Sequence, residues 1–304
     1  MLFTMLTKKR RIDEMREGED VDDIFVVRSR MEGRSFVLCD SGNRTIDCFG
    51  ESIHGVKSGS VVHVMGRTVC DGGKMRILCS SIEALKTGDF SVEGLLKPER
   101  RPVEQMRAEL TDAIAKVSDG EMNALLSSVF DDAVVRERFF VYPGALEIHH
   151  AWTSGLLQHT LEVLRYSLLA GEVNGGMNRD LLITGALLHD IGKIFELSDG
   201  LAMSREGSLL GHIVLGILYV DKKCDAVRMG GEKRDRVLHV IASHYGRLSY
   251  GSPREPMFPE AFAIYYADEL SSKLSRVLDF VESHRNDAED FAYSRRDERS
   301  IYLG

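Results

Sequence analysis

No stretch of roughly 18 apolar residues occurs in the 304-residue chain, so no membrane-spanning helix is expected. A secretory pattern is missing as well. The apolar start, Met1 to Leu6, comes before the charges Lys8, Lys9, Arg10 and Arg11, whereas a signal sequence puts its charges first and has a longer apolar core. Cysteine is scarce: Cys39, Cys48, Cys70, Cys79 and Cys224 form an odd set with no C-x-x-C pair. That excludes a disulfide frame and a cysteine-built zinc site, and it suits reduced thiols in a cytoplasm. Net positive charge is also lacking, since a balance of −8 cannot coat nucleic acid by charge alone, although local basic surface stays open. Internal repeats and low-complexity stretches are absent. What is present, 43% hydrophobic and 28% charged residues, is an ordinary soluble composition in a chain long enough for two domains.

Residues 1–20 form a short N-terminal segment whose basic quartet, Lys8 to Arg11, is either a phosphate contact or a solvated tail. Residues 21–90 read as five short strands: Ile24–Val27, Ser35–Cys39, Thr45–Phe49, Val61–Gly66 and Lys74–Cys79. Turn signals sit at Asp40-Ser41-Gly42-Asn43 and Asp71-Gly72-Gly73, with an irregular piece from Glu51 to Ser58. In the last strand Met75, Ile77 and Cys79 share one face at period two. Five short strands in one stretch predict a small closed barrel, because closure removes exposed edges. Phe25, Phe36 and Phe49 are candidates for base stacking or for the barrel core, and Arg44 is among the basic residues spread over strands and turns. Residues 91–148 are a helical connector, opening with a linker around Pro98 and Pro102 and helices over Val103–Val117, Met122–Phe130 and Ala133–Phe140. Residues 149–285 carry most of the histidines on further helices, the first capped by Thr153 or Ser154. A charged tail, 286–304, ends in Ile301-Tyr302-Leu303, which is expected to dock back.

The centre of the helical half is Leu187-Leu188-His189-Asp190-Ile191-Gly192-Lys193. An adjacent histidine and aspartate emerge there from an apolar run, and a buried carboxylate needs a cation, a hydrogen-bond network or a metal. From the dipeptide alone, a metal ligand pair and a satisfied core pair are equally open. Five positions besides His189 change this: His159, Asp190, His212, His244 and Asp268 each lie on or at the end of an apolar-rich helix. Imidazoles and carboxylates without thiolates suit Mn²⁺, Fe, Co²⁺, Ni²⁺ or Zn²⁺, with Mg²⁺ as a further candidate.

This order, His, then His-Asp, then His, His and Asp, resembles the HD-domain metallophosphohydrolases, and the barrel resembles the OB fold in its nucleic-acid-binding form. The HD resemblance implies two divalent ions, Mn²⁺ foremost. His159, His189 and Asp268 would serve one ion, His212 and His244 the second, and Asp190 would bridge them. Lys193 then either places a cation on the phosphoryl oxygens or answers the dipole at a helix C-terminus. A closer likeness runs through Glu147-Ile148-His149-His150-Ala151-Trp152 and Gly155-Leu156-Leu157-Gln158-His159-Thr160, then Ser243-His244-Tyr245-Gly246, Tyr250-Gly251-Ser252-Pro253 and Ala267-Asp268-Glu269-Leu270. These segments are similar to the YhaM-type 3′→5′ exoribonucleases, which join an OB fold to an HD domain. Trp152 stands where that family has tyrosine, Gln158 where it has glutamate, and Tyr245 where it has a second histidine. His149 or His150 either contacts a phosphate or leaving group or fills a cap or core role, and Arg247 either meets the scissile phosphate or is solvated.

The expected architecture is therefore a five-stranded OB-like barrel followed by an all-α HD bundle. The expected activity is a metal-dependent phosphodiesterase, a 3′→5′ exonuclease on single-stranded nucleic acid, RNA before DNA. Two rivals are an HD phosphohydrolase of nucleotides or cyclic nucleotides with a regulatory barrel, and a non-catalytic adaptor. The adaptor gives no reason to keep so many costly polar groups in an apolar shell.

Overall fold

In the computed structural model, residues 5–30, 35–41, 44–50, 56, 58–86, 89–92, 94–144, 152–197, 203–285 and 289–304 are described. The turn expected at Gly42 and Asn43, most of the irregular piece after Phe49, and His149 and His150 lie outside them. The chain forms two compact units, Met1–Arg100 with Gly192–Leu215, and Arg101–Ile191 with Gly216–Gly304.

In the first unit, β1 (Asp20–Arg30), β2 (Ser35–Cys39), β3 (Thr45–Phe49), β4 (Val61–Asp71) and β5 (Lys74–Ala84) close a barrel in the order β1-β2-β3-β5-β4. β1 closes on β4, and β3 runs parallel to β5 while the other neighbours are antiparallel. This accords with the OB-type barrel expected from the strand pattern. β4 passes its expected end at Gly66 because ladder bonds come from the backbone, and Arg67 to Asp71 keep pairing with β5 whatever their side chains. Alternate residues point inward: Phe36 and Leu38 from β2, Ile46 and Cys48 from β3, Ile77 and Cys79 from β5.

Two expectations are corrected here. Phe36 is only 2% exposed and Phe25 fully buried, so both rings are core and neither is a stacking platform. Phe49, half-buried, stays on the outer face. The basic quartet is ion-paired along the barrel and not a loose tail, with the Lys8 side chain buried and those of Lys9 and Arg11 still half-exposed. Lys8 Nζ donates to Asp23 at 2.7 Å, Lys9 pairs with Asp22 at 2.6 Å, Arg10 with Glu19 at 2.5 Å and Arg11 with Asp13 at 3.2 Å. Asp23 also accepts the backbone N–H groups of Lys9 and Arg10, which straps the segment to the barrel. The exposed Arg44 reaches Asp13 at 3.2 Å.

The helices are α1 (Val103–Ala115), α2 (Gly120–Phe130), α3 (Ala133–Arg138), α4 (Gly155–Asn174), α5 (Arg179–Leu188), α6 (Lys193–Glu196), α7 (Arg205–Ala226), α8 (Gly231–Ser243) and α9 (Pro259–Ser283). A hairpin of β6 (Phe291–Ser294) and β7 (Arg299–Tyr302) ends the chain. It is tied back to α9 by the Arg276–Asp297 pair, while Tyr302 of the apolar end expected to dock is exposed. In the second unit α4 is the central element and packs on α5 and α9. Leu156, Leu157, Leu161 and Leu164 on α4 are buried, and all of α5 from Leu181 to Leu188 is buried. Asp119 and Asn178 cap α2 and α5 with their side chains. Ser154 is the N-cap residue of α4 as expected, but with φ 61° it makes no capping bond and donates its hydroxyl to the Phe140 carbonyl at 2.6 Å, which pins the entry to the helix instead. Among the described residues no helix is long and apolar enough to cross a membrane.

Candidate metal centre

Five of the expected ligands converge inside the second unit. His159 comes from α4, His189 from the C-terminal cap of α5, Asp190 from the turn after it, His244 from the cap of α8 and Asp268 from α9. His159, His189, Asp190 and His244 are each at most 2% exposed. His159 Nε2 lies 3.1 Å from Asp268 Oδ1 and 3.4 Å from Asp190 Oδ2. His189 Nε2 lies 3.5 Å from Asp190 Oδ2, and His244 Nε2 lies 3.4 Å from Asp190 Oδ1. The two oxygens of Asp190 thus face different histidines. One ligand atom from each of His159, His189 and Asp268 falls within a 4.8 Å group.

The hydrogen bonds behind the imidazoles decide which nitrogen is free to ligate. His189 Nδ1 lies 2.8 Å from the Ala186 carbonyl and His244 Nδ1 lies 2.8 Å from the Ile241 carbonyl. A carbonyl only accepts, so both Nδ1 atoms carry a proton, and in its neutral form each ring would turn an Nε2 lone pair to the centre. His159 Nδ1 lies 2.9 Å from Ser271 Oγ, whose own proton goes to Glu162 Oε2 at 2.7 Å, so His159 also donates through Nδ1. Burial holds the His244 ring below the usual histidine pKa, against the pull of Asp190, and this favours the neutral ligand form. Burial alone would raise the Asp268 pKa, but a proton on His159 Nε2, through its hydrogen bond and its charge, and then the charge of a protonated His189 outweigh that and put the carboxyl well below the usual range; a bound cation would take the place of that positive charge. Inward lone pairs from imidazoles, together with carboxylate oxygens and no thiolate, fit a divalent cation.

His212 belongs to the first unit. α7 is broken at Gly211, whose φ of 69° and ψ of 162° leave the helix immediately before this histidine. Both the backbone N–H and Nδ1 of His212 lie 3.2 Å from Glu196 Oε1, again leaving Nε2 as the acceptor nitrogen. Burial pushes the Glu196 pKa up, but His212 outweighs it and the carboxyl sits below its usual range. Lys193 opens α6 and adds its charge to the same effect.

A family model for the HD domain matches residues 156–273, a span that contains all six expected ligands. The chain is 29% identical to the 3′-5′ exoribonuclease YhaM of Listeria monocytogenes serotype 4b (strain CLIP80459), over 97% of its own length and 98% of that protein. It is 31% identical to the 3′-5′ exoribonuclease YhaM of Geobacillus sp. (strain WCH70), over 72% of its length and 68% of that protein. The chain belongs to the YhaM family. Against the protein of the same name from Bacillus velezensis, identity is 27% over 92% of this chain.

Two departures from the YhaM pattern touch each other: Trp152 Nε1 donates to Gln158 Oε1 at 3.1 Å. The third, Tyr245, packs its ring edge-on to His244 at 4.9 Å. The next residue has to be glycine: Gly246 has φ 74°, and a Cβ there would lie 2.1 Å from the Tyr265 ring. Arg247 is exposed, with its guanidinium 5.6 Å from the Tyr250 ring. Sequence reasoning passed over Glu162, Ser271 and Glu196, which hold the ligands. A signal was there for two of them: Glu162 follows His159 by three residues and Ser271 follows Asp268 by three, so each shares a helix face with a ligand.

Proposed function

We infer that this protein is a metal-dependent 3′-5′ exonuclease, and we propose single-stranded RNA as its substrate. Membership of the YhaM family supports the activity, and the relatives' name supports RNA over DNA. The observation that carries the reading is the placing of Asp190, whose two oxygens face His159 and His189 on one side and His244 on the other. In this reading His159, His189 and Asp268 would hold one divalent ion and His212 and His244 a second, with Asp190 as the carboxylate shared between the two sets. Mn²⁺ is the ion proposed. When bound, such a pair supplies a water that ionises near neutral pH and positive charge at the attacking and leaving oxygens.

The chain's own residues do the rest. The Nδ1 partners lock each ring, so that Nε2 needs no reorganisation to ligate. The apolar shell of α4 and α5 keeps bulk water from the carboxylates and strengthens every charge interaction among them. Lys193 is assigned to the phosphoryl oxygens and Arg247 to the scissile phosphate. His149 and His150 keep their proposed substrate contacts from the family resemblance alone. The barrel is proposed to hold the strand through its outer face. There Phe49 pairs with the exposed Leu78 and Leu78 pairs with the exposed Arg67, an apolar-aromatic surface beside a cation suited to unstacked bases.

The test is a 5′-labelled single-stranded RNA incubated with the protein and Mn²⁺. The expected result is a ladder that shortens to small 5′-labelled pieces. An intact strand with turnover of small phosphodiesters would replace the RNA reading with that of a nucleotide phosphohydrolase. Binding without turnover would leave an adaptor.

A further inference from the structure

A line of hydrogen bonds runs away from the centre through the interior of the second unit. Trp152 Nε1 donates to Gln158 Oε1 at 3.1 Å, and Gln158 Nε2 donates to Glu162 Oε1 at 2.9 Å. From the other side His159 Nδ1 meets Ser271 Oγ at 2.9 Å, and Ser271 Oγ donates to Glu162 Oε2 at 2.7 Å. Trp152, Gln158 and Ser271 are 2%, 7% and 1% exposed.

Chemistry fixes the direction of every bond. An indole N–H can only donate, so the Gln158 oxygen faces Trp152 and its amide nitrogen faces Glu162. An ionised carboxylate can only accept, so the Ser271 hydroxyl gives its proton to Glu162 and takes one from His159. Both branches therefore end on one negative charge. Because Gln158 and not a carboxylate stands beside Glu162, that charge is met by a donor at each oxygen. The two departures from the family pattern, Trp152 and Gln158, are both members of this line.

We propose that Glu162 is the positioning residue of the metal centre, setting the orientation and donor strength of His159 through Ser271, while Gln158 and Trp152 hold Glu162 in place. The proposal rests on the reading of His159 as a metal ligand. An acceptor behind a ligating imidazole fixes its ring and raises its basicity, and losing it costs about 10- to 100-fold in metal affinity. Glu162 touches no reacting atom in this scheme.

Trp152 is the only tryptophan in the chain, so intrinsic emission reports from the far end of the line. The experiment titrates Zn²⁺, which does not quench by itself, into metal-free full-length wild type, Glu162→Gln and Ser271→Ala. Affinity is followed by calorimetry and the line by emission. Wild type should bind Zn²⁺ with a change in Trp152 emission. Both variants should bind about 10- to 100-fold more weakly, and in Ser271→Ala the emission should no longer follow binding. Thermal melts of the metal-free proteins establish that both variants are folded, and Glu162→Gln keeps the shape of the side chain it replaces. Variants that bind Zn²⁺ as tightly as wild type, or a Ser271→Ala protein whose emission still follows binding, would overturn the proposal. A wild type that takes up no Zn²⁺ overturns instead the reading of His159 as a ligand, and the proposal with it.

Discussion

The Nε2 atoms of His159 and His189 face each other at 3.3 Å, while both Nδ1 atoms are committed to Ser271 and the Ala186 carbonyl. Two imidazole lone pairs at that distance repel, and the buried carboxylates of Asp190 and Asp268 add negative charge beside them. A cation at the point where they meet removes both costs. The first prediction is that chelation destabilises the protein. An ion that binds only the native state adds about 2.7 kcal/mol at a hundredfold excess over its Kd. Returning Mn²⁺ to chelated protein at that level should raise the melting temperature reversibly, and an unmoved melt would show that no ion sits there.

Asp190 is the residue on which the two-ion reading depends. Asp190→Ala removes the carboxylate that faces both sets of histidines and should abolish turnover, with metal content reduced and the fold retained. Metal analysis and cleavage assays on one preparation decide the matter. Full activity with both ions retained would end the two-ion reading.

The barrel and the ligand set were legible in the sequence for different physical reasons. A barrel strand announces itself through alternation, and Met75, Ile77 and Cys79, read on one face of the last strand, do lie in or against the barrel core. The candidate ligands stood out because His and Asp are conspicuous in apolar helices, while their grouping around metal was read from the family resemblance. What was not legible is pairwise. Nothing local tells whether Phe36 faces the core or the solvent, since either assignment satisfies period two until the neighbouring strands are in register. The acid partners of Lys8 and Lys9 lie 15 and 13 positions away in β1, and those bonds exist only once β1 has folded against the N-terminal segment. Ser154 takes the expected N-cap position of α4, but its hydroxyl bonds to Phe140, a contact across 14 positions that displaces the local capping bond.

Phe36 gives a prediction that separates core from platform. A ring 2% exposed within the barrel core fills space that alanine leaves empty. Phe36→Ala should cost about 3–5 kcal/mol of stability. Phe49→Ala, on the outer face, should lower affinity for single-stranded RNA by about 1–3 kcal/mol with little change in stability. Denaturant titrations and oligonucleotide anisotropy on the two variants test this, and the opposite pattern would reassign the rings.

Lys193 is assigned a catalytic contact. A fixed cation at the phosphoryl oxygens gains in the transition state over the ground state, so Lys193→Ala should lower kcat by about 10²–10³ with substrate affinity nearly intact. The competing role is support of Glu196, whose carboxylate holds His212. That role predicts a loss of bound metal instead. Single-turnover cleavage and metal content on the same preparation separate the two, and a wild-type rate with both ions bound would make Lys193 structural.

His239 supplies a pH dependence away from the metal centre. Its Nε2 accepts the backbone N–H of Met257 at 3.2 Å, and its ring lies 5.1 Å from that of Phe258. Burial, with the nearby Arg254 charge in the same direction, holds its pKa below the ordinary 6.5. The unfolded chain therefore takes up a proton near pH 6.5 while the folded ring resists it until lower pH. In that window the unfolded state binds more protons, so stability falls as pH drops. Protonation would also turn the Met257 acceptor into a donor facing a donor. His239→Gln does not titrate, so the difference in unfolding free energy between it and wild type should change as pH falls through this window. Denaturant titrations of both proteins in chelator across that range cancel the contribution of the ligand histidines. Parallel curves for the two would show that His239 does not carry the effect.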